Sequence, residues 1–260
     1  MTTQDYFLGK RVAVIGAHGA IASIICEKLH AYGVNLIEVS RSGHARIGNQ
    51  GMSCDLSDAA EVRDLAAELS LNCPDILINI AGVQYCGLME QQHTAQITQT
   101  FDVNLIAPII VSSGVLTAMI QRKSGHIVNV GSGFGSVPYP FFATYSASKA
   151  GLAAFSQSLR RETNRSNISV THVSPRAVET ELNGGTARIV GRATDMAMDD
   201  PNFVADQILM AIAKRKKSHA IGRKERFFGM LNTLLPDLVD FGLKGPTQRA
   251  RMALSGQDKA

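Results

Sequence analysis

Several function classes are excluded by what this 260-residue chain has little of. It carries four cysteines, Cys26, Cys54, Cys73 and Cys86, with no CxxC pair and nothing near the density of a disulfide scaffold. A reducing compartment is therefore expected, with the cysteines acting as small buried hydrophobes. Neither sign of charge dominates: 26 Lys and Arg against 22 Asp and Glu leave +4, too mild a bias for nucleic-acid binding without a basic motif. The first ten residues hold the acidic Asp5 and no apolar leader, and no later run is read as reaching the uninterrupted apolar length of a membrane span. The expectation is a soluble, cytoplasmic protein. No linker, repeat or low-complexity segment divides the chain, and with 45% hydrophobic residues it can bury one large α/β core.

What is there is alternation. Short β-branched or apolar runs at residues 11–15, 34–39, 76–80, 126–130, 168–173 and 218–221 predict strands. Longer amphipathic stretches at 20–32, 59–69, 91–122, 144–163 and 202–214 predict helices between them. This is the pattern of βαβ units: a doubly wound parallel sheet in three α/β/α layers. We read residues 1–222 as that single domain and 223–260 as a C-terminal helical extension packed on it. From Thr180 to Asp200 the pattern loosens around Asn183-Gly184-Gly185, a composition suited to a mobile lid or an ordinary surface loop.

Two ends of the sequence carry chemistry. After the first strand, Gly16-Ala17-His18-Gly19-Ala20-Ile21-Ala22 leads into a helix. Such a turn lets backbone approach a pyrophosphate while the helix N-terminus offers N–H donors. After the second strand come Ser40 and Arg41, where an acid would accept from ribose hydroxyls. Arg41 can instead pair with a 2′-phosphate, which favours NADP(H). Glu38, one step back on the strand, is not expected to reach the ribose. At the other end, Tyr145 and Lys149 are four residues apart on a helix and share a face, so the ammonium, together with the positive nicotinamide ring of an oxidised cofactor, is expected to lower the phenol pKa from about 10 into a working range. Ser132 ends a strand thirteen residues earlier, and Asn104 sits mid-helix where asparagine is a mediocre helix former.

Together these motifs resemble the short-chain dehydrogenase/reductase family, over about residues 8–222, with a likeness to its 3-oxoacyl-[acyl-carrier-protein] reductases. The resemblance implies a Rossmann fold and a catalytic group of Asn104, Ser132, Tyr145 and Lys149. In the family, such an asparagine holds a water that links the lysine to solvent. It also implies that the turn residues Gly16, His18, Gly19, Ala20 and Ile21 meet the cofactor, although Ile15, Ala20 and Ala22 replace family threonine and glycines. Cys54-Asp55-Leu56 is similar to the pair beside the adenine, and Asn79-Ile80-Ala81-Gly82 to an Asn-Asn-Ala-Gly segment, implying contacts from Asp55, Leu56, Asn79, Ala81 and Gly82. Pro175-Arg176-Ala177-Val178-Glu179-Thr180 resembles Pro-Gly-x-Val-x-Thr beside the nicotinamide amide, implying contacts from Pro175, Val178 and Thr180. Arg176 replaces its glycine. Its planar fork suits cofactor phosphate or an anionic substrate group, and a side chain directed into solvent or against the C-terminal segment is the equal alternative.

The implied activity is reduction of a ketone, or oxidation of an alcohol, with a medium-sized hydrophobic substrate that can be carrier-bound. Phe134, Tyr139, Phe141, Phe142, Tyr85 and Met89 are expected around its pocket mouth. A homodimer or homotetramer is implied, and no metal ion. A cofactor-binding scaffold, or a dehydratase or epimerase using the same tyrosine, stays open as an alternative. Finally, Lys214-Arg215-Lys216-Lys217, Arg223, Lys224 and Arg226 adjoin an apolar run from Phe227 to Leu235. That reads as a subunit contact or pocket lid in preference to a docking surface for an acidic carrier or anionic membrane.

Overall fold

The computed structural model describes residues 2–47 and 50–255. Seven strands, β1 (Arg11–Ile15), β2 (Asn35–Ser40), β3 (Gln50–Ser53), β4 (Ile76–Asn79), β5 (Gly125–Val130), β6 (Ile168–Ser174) and β7 (Ser218–Ala220), form one sheet in the order β3-β2-β1-β4-β5-β6-β7. All neighbours pair in parallel. Because crossover helices cover both faces, β4 and β5 are buried along their whole length, which is why they read as near-continuous apolar runs.

The connections are α1 (Thr3–Phe7), α2 (Ala20–Ala31), α3 (Ala59–Leu71), α4 (Thr94–Phe101), α5 (Ala107–Arg122), α6 (Ala143–Glu162), α7 (Gly185–Ala193) and α8 (Pro201–Ala213), followed by α9 (Arg223–Leu234) and α10 (Pro236–Ser255). Strand alternation sorts the core into two layers. Val12 and Val14 pack with Ile25, Leu29, Val204 and Ile208 under α2 and α8. Ala13 and Ile15 face the opposite way, with Val62, Leu65, Val111 and Val115 under α3 and α5. Aspartates start two of these helices: Asp58 accepts from the Ala60 and Glu61 amides, and Asp200 from Phe203, with Pro201 at the first helical position.

The structure corrects three expectations. The helix expected over 91–122 begins at Thr94, and residues Asp102–Ile106 between α4 and α5 are π-helical. By length and composition, the continuous helix Thr94–Arg122 is apolar enough to cross a membrane, contrary to the reading that no segment was. One side of it packs into the core: Val111, Val115 and Met119 are buried under the sheet, and a Cβ on Gly114 would lie 2.7 Å from the Ala66 carbonyl oxygen of α3, with 44% of the apolar stretch buried in all. Third, only part of the basic stretch adjoins the apolar run: Lys224 and Arg226 share α9 with it, while Lys214–Lys217 precede β7. Lys216 and Lys217 carbonyls accept from Thr171 and Arg160, and the Arg215 guanidinium stands 6.0 Å from the Tyr6 ring, whereas α9 starts beyond the carboxyl end of β7.

Candidate active site

Strand order reverses between β1 and β4, so their following loops part and leave a crevice at the carboxyl edge of the sheet. Gly16 opens that crevice with φ +90°, and a Cβ there would stand 2.6 Å from the Ala81 Cβ. Only glycine fits. The Gly16 and Ala17 amides donate to the Val39 carbonyl, which locks the turn against β2. α2 is capped by Gly19, which has no side chain to bond the amides of its first turn. Those amides and the positive end of the helix suit a pyrophosphate.

A cavity of about 1120 Å³ runs from this turn across the sheet edge. Its wall includes Gly16, His18, Gly19, Ala20, Ile21, Ser40, Arg41, Asp55, Leu56, Ala81 and Gly82 at one end, and Ser132, Tyr145, Lys149, Pro175, Arg176, Val178 and Thr180 at the other. Near the ribose position Arg41 is exposed, and Ser40 lies 3.3 Å from the Ser42 hydroxyl. Glu38 is buried and turned away, accepting from the Arg46 and Ile47 amides at 3.0 and 3.2 Å. The Asp55 carboxylate accepts from the Ser57 hydroxyl and amide, which holds its pKa below the ordinary value.

Asn79 does not reach the wall. Its side-chain amide donates to Ser112 at 3.2 Å and Asn129 at 2.8 Å, tying β4 to α5 and β5 behind the cavity. Asn104 lies in the π-helical turn, fully buried, with Oδ1 accepting from the Val83 amide at 2.9 Å and Nδ2 donating to the Val83 carbonyl and the Ser148 hydroxyl. It converges with Lys149 on Gly82: a Cβ there would stand 3.4 Å from both Asn104 Oδ1 and Lys149 Nζ. Sequence reasoning offered no signal for Ser148 as the anchor.

Lys149 donates to the Val130 carbonyl at 3.3 Å, and Nζ lies 5.8 Å from the centre of the Tyr145 ring. Burial pushes the ammonium down to about 8. Tyr145 does not follow the expected direction: burial raises its phenol above 10, opposed by the Ser132 hydroxyl. Lys149, turned to the Val130 carbonyl with Nζ 5.8 Å from the ring centre, is not among the groups that shift it.

Of the two readings of Arg176, the structure favours the one against the C-terminal segment. Its guanidinium grips the buried Asp199 with two nitrogens, Nε at 2.9 Å and Nη2, and reaches Glu225 of α9 at 3.3 Å. Asp199 and Glu225 hold its pKa up, and the fork that was to meet a phosphate is taken by carboxylates.

Among the expected aromatics, Phe134 and Tyr139 line the cavity, stacked 5.2 Å apart, and Phe134 meets the Tyr145 ring edge-on at 6.4 Å. Tyr85 and Met89 lie off the wall, Tyr85 because its hydroxyl bonds the Leu88 carbonyl. The loosened 180–200 segment contains α7, whose Ala187 and Val190 are buried with Phe142 and Tyr145. Phe228, Leu231, Leu238 and Val239 of α9 and α10 complete the wall, as the lid reading anticipated.

The sequence profile described as short chain dehydrogenase matches residues 10–188. The chain belongs to the short-chain dehydrogenase family. A mouse relative of this short-chain dehydrogenase, dehydrogenase/reductase SDR family member 7B, is 30% identical over 240 residues, covering 83% of this chain and 74% of the relative. Among solved structures, a short-chain dehydrogenase from Sphingobium yanoikuyae in complex with NADPH superposes with TM-score 0.75 at 24% identity, covering 89% of this chain and 96% of that one. Another from Leptospira borgpetersenii, with bound NAD+, gives 0.73 at 21%, covering 85% and 94%. Those two share the Rossmann fold with this short-chain dehydrogenase and carry different nicotinamide cofactors.

Proposed function

We propose that this oxidoreductase is NADP(H)-dependent and moves hydride between nicotinamide and a hydrophobic ketone or secondary alcohol, a 3-oxoacyl thioester among the candidates. One observation carries the reading: Ser132, Tyr145 and Lys149 share one wall of a largely apolar cavity that continues to the glycine turn. The turn fits a dinucleotide, because its glycine is forced by the close approach of Ala81 and its helix amides are uncapped. Arg41 supports the phosphorylated cofactor: it is exposed on the wall, while Glu38, the acid nearest to it in sequence, is consumed by loop amides.

When bound, nicotinamide supplies the hydride or takes it. The chain's own residues handle the oxygen and its proton. Ser132 holds the substrate oxygen as charge develops on it, and Tyr145 gives that oxygen a proton in reduction or removes one in oxidation. Lys149 stabilises the phenolate, and Asn104, fixed by Val83 and Ser148, sits beside it on the route by which the proton is replaced. Phe134, Tyr139, Phe228 and Leu238 give the substrate end its apolar character.

The test is NADPH consumption against a panel of hydrophobic ketones and 3-oxoacyl thioesters, wild type beside Tyr145→Phe. Loss of general acid catalysis is expected to lower kcat by about 10²–10⁴ while cofactor affinity stays near wild type. A Tyr145→Phe enzyme of wild-type rate would refute the assignment.

A further inference from the structure

Helices α9 and α10 are two-faced. Leu231, Val239 and Leu243 look into the cavity, while Phe227, Met230, Leu234, Leu235, Leu238 and Phe241 are 53–70% exposed on the outside. An apolar surface of that size on a water-soluble face marks a contact. Phe228 and Leu238 belong to both faces, lining the cavity and reaching solvent, so the cavity mouth opens within the apolar patch. Cations border it: Lys224 and Arg226 at the start of α9, and Lys244, whose ammonium lies 5.6 Å from the Phe241 ring. From Arg223 to Ser255 there are six Lys or Arg against three Asp or Glu.

We propose that this face docks on an anionic lipid bilayer, with the aromatic and aliphatic side chains in the headgroup–acyl boundary and the cations on the lipid phosphates. The charge excess favours a lipid surface over a second copy of the chain, whose own patch would bring the same cations together and close the cavity mouth. Docked this way, the mouth meets the acyl layer. On the oxidoreductase reading above, it then receives a membrane-dissolved carbonyl or alcohol.

The test is flotation of the full chain with vesicles of phosphatidylcholine alone and of phosphatidylcholine with phosphatidylglycerol, which reads neither cofactor nor turnover. The protein is expected to float with the anionic vesicles and to be released by salt. Lys224→Glu and Arg226→Glu should each weaken binding about fivefold or more. Phe227→Ser with Phe241→Ser should abolish flotation while circular dichroism and the unfolding midpoint stay those of wild type, since neither residue lines the cavity. Absence of wild-type flotation overturns the proposal, as does equal binding to both vesicle types. A dimer in solution that the serine variant dissolves, with no flotation, assigns the face to a second copy instead.

Discussion

At residue scale, the site depends on one buried amine. Lys149 is depressed to about 8, so its ammonium persists below that pH and is lost as pH rises through it. On the proposed mechanism reduction uses that charge beside Tyr145 and is expected to decline above about pH 8; a kcat profile checks this, and Lys149→Met should flatten it at a low rate. The same depression means that the charged Lys149 destabilises the fold below pH 8, a penalty relieved as pH rises from 8 to 10.5. Arg176 gives a prediction of opposite character. Arg176→Ala leaves Asp199 buried without its partner and is expected to cost about 1–3 kcal/mol, read from urea unfolding. An unchanged midpoint with weakened NADPH binding would return Arg176 to the cofactor. The spacing of Ser132, Tyr145 and Lys149 was legible because helix periodicity alone joins the last two. The partners of Arg176 were not, because Asp199 and Glu225 lie 23 and 49 residues away and only the packing of β6 with α8 and α9 unites them.

At the scale of elements, the β1–α2 turn is set by two glycines under different constraints. Gly16 combines φ +90° with a Cβ clash against Ala81, whereas Gly19 has φ −65° and room for a methyl, its nearest neighbour 3.5 Å away. Gly16→Ala is expected to cost about 1–3 kcal/mol in strain alone, and Gly19→Ala less than about 1 kcal/mol; thermal unfolding of both variants makes the comparison. The six strands and five helices read from alternation lie within a few residues of their observed positions, but β3, α1 and α7 were not read, because Gln50-Gly51-Met52-Ser53 has no apolar run and the two helices are short. The π-helical turn was visible only as an asparagine in an unfavourable place, since the bonds of Asn104 to Val83 and Ser148 join residues 21 and 44 apart in the chain. The span-length apolar character of the α4–α5 helix was also missed, since polar residues interrupt its apolar run; one side of the helix is met by α3 and the sheet.

At the scale of the whole molecule, two histidines are enclosed by the parallel sheet and its helices. His126, between Tyr6 and Thr171, is pushed down to about 3, and His172 to about 4, both by burial. Each stays neutral in the fold while the unfolded chain protonates near 6.5, so acid favours unfolding. Stability is expected to fall by about 1.4 kcal/mol per pH unit for each histidine as pH drops from 6.5 toward 4. Unfolding midpoints of wild type and His172→Gln measure this, the variant showing the shallower slope. Placement of the C-terminal helices was the least legible feature at this scale, because an amphipathic pattern states that a face is covered without stating by what. The central claim, a dinucleotide cleft that selects the phosphorylated cofactor, is tested most directly by fluorescence titration of wild type and Arg41→Ala with NADPH and NADH. The account predicts tight NADPH binding that falls to the NADH level in the variant. Equal affinity for both cofactors in wild type, or NADPH binding untouched by the substitution, would contradict it.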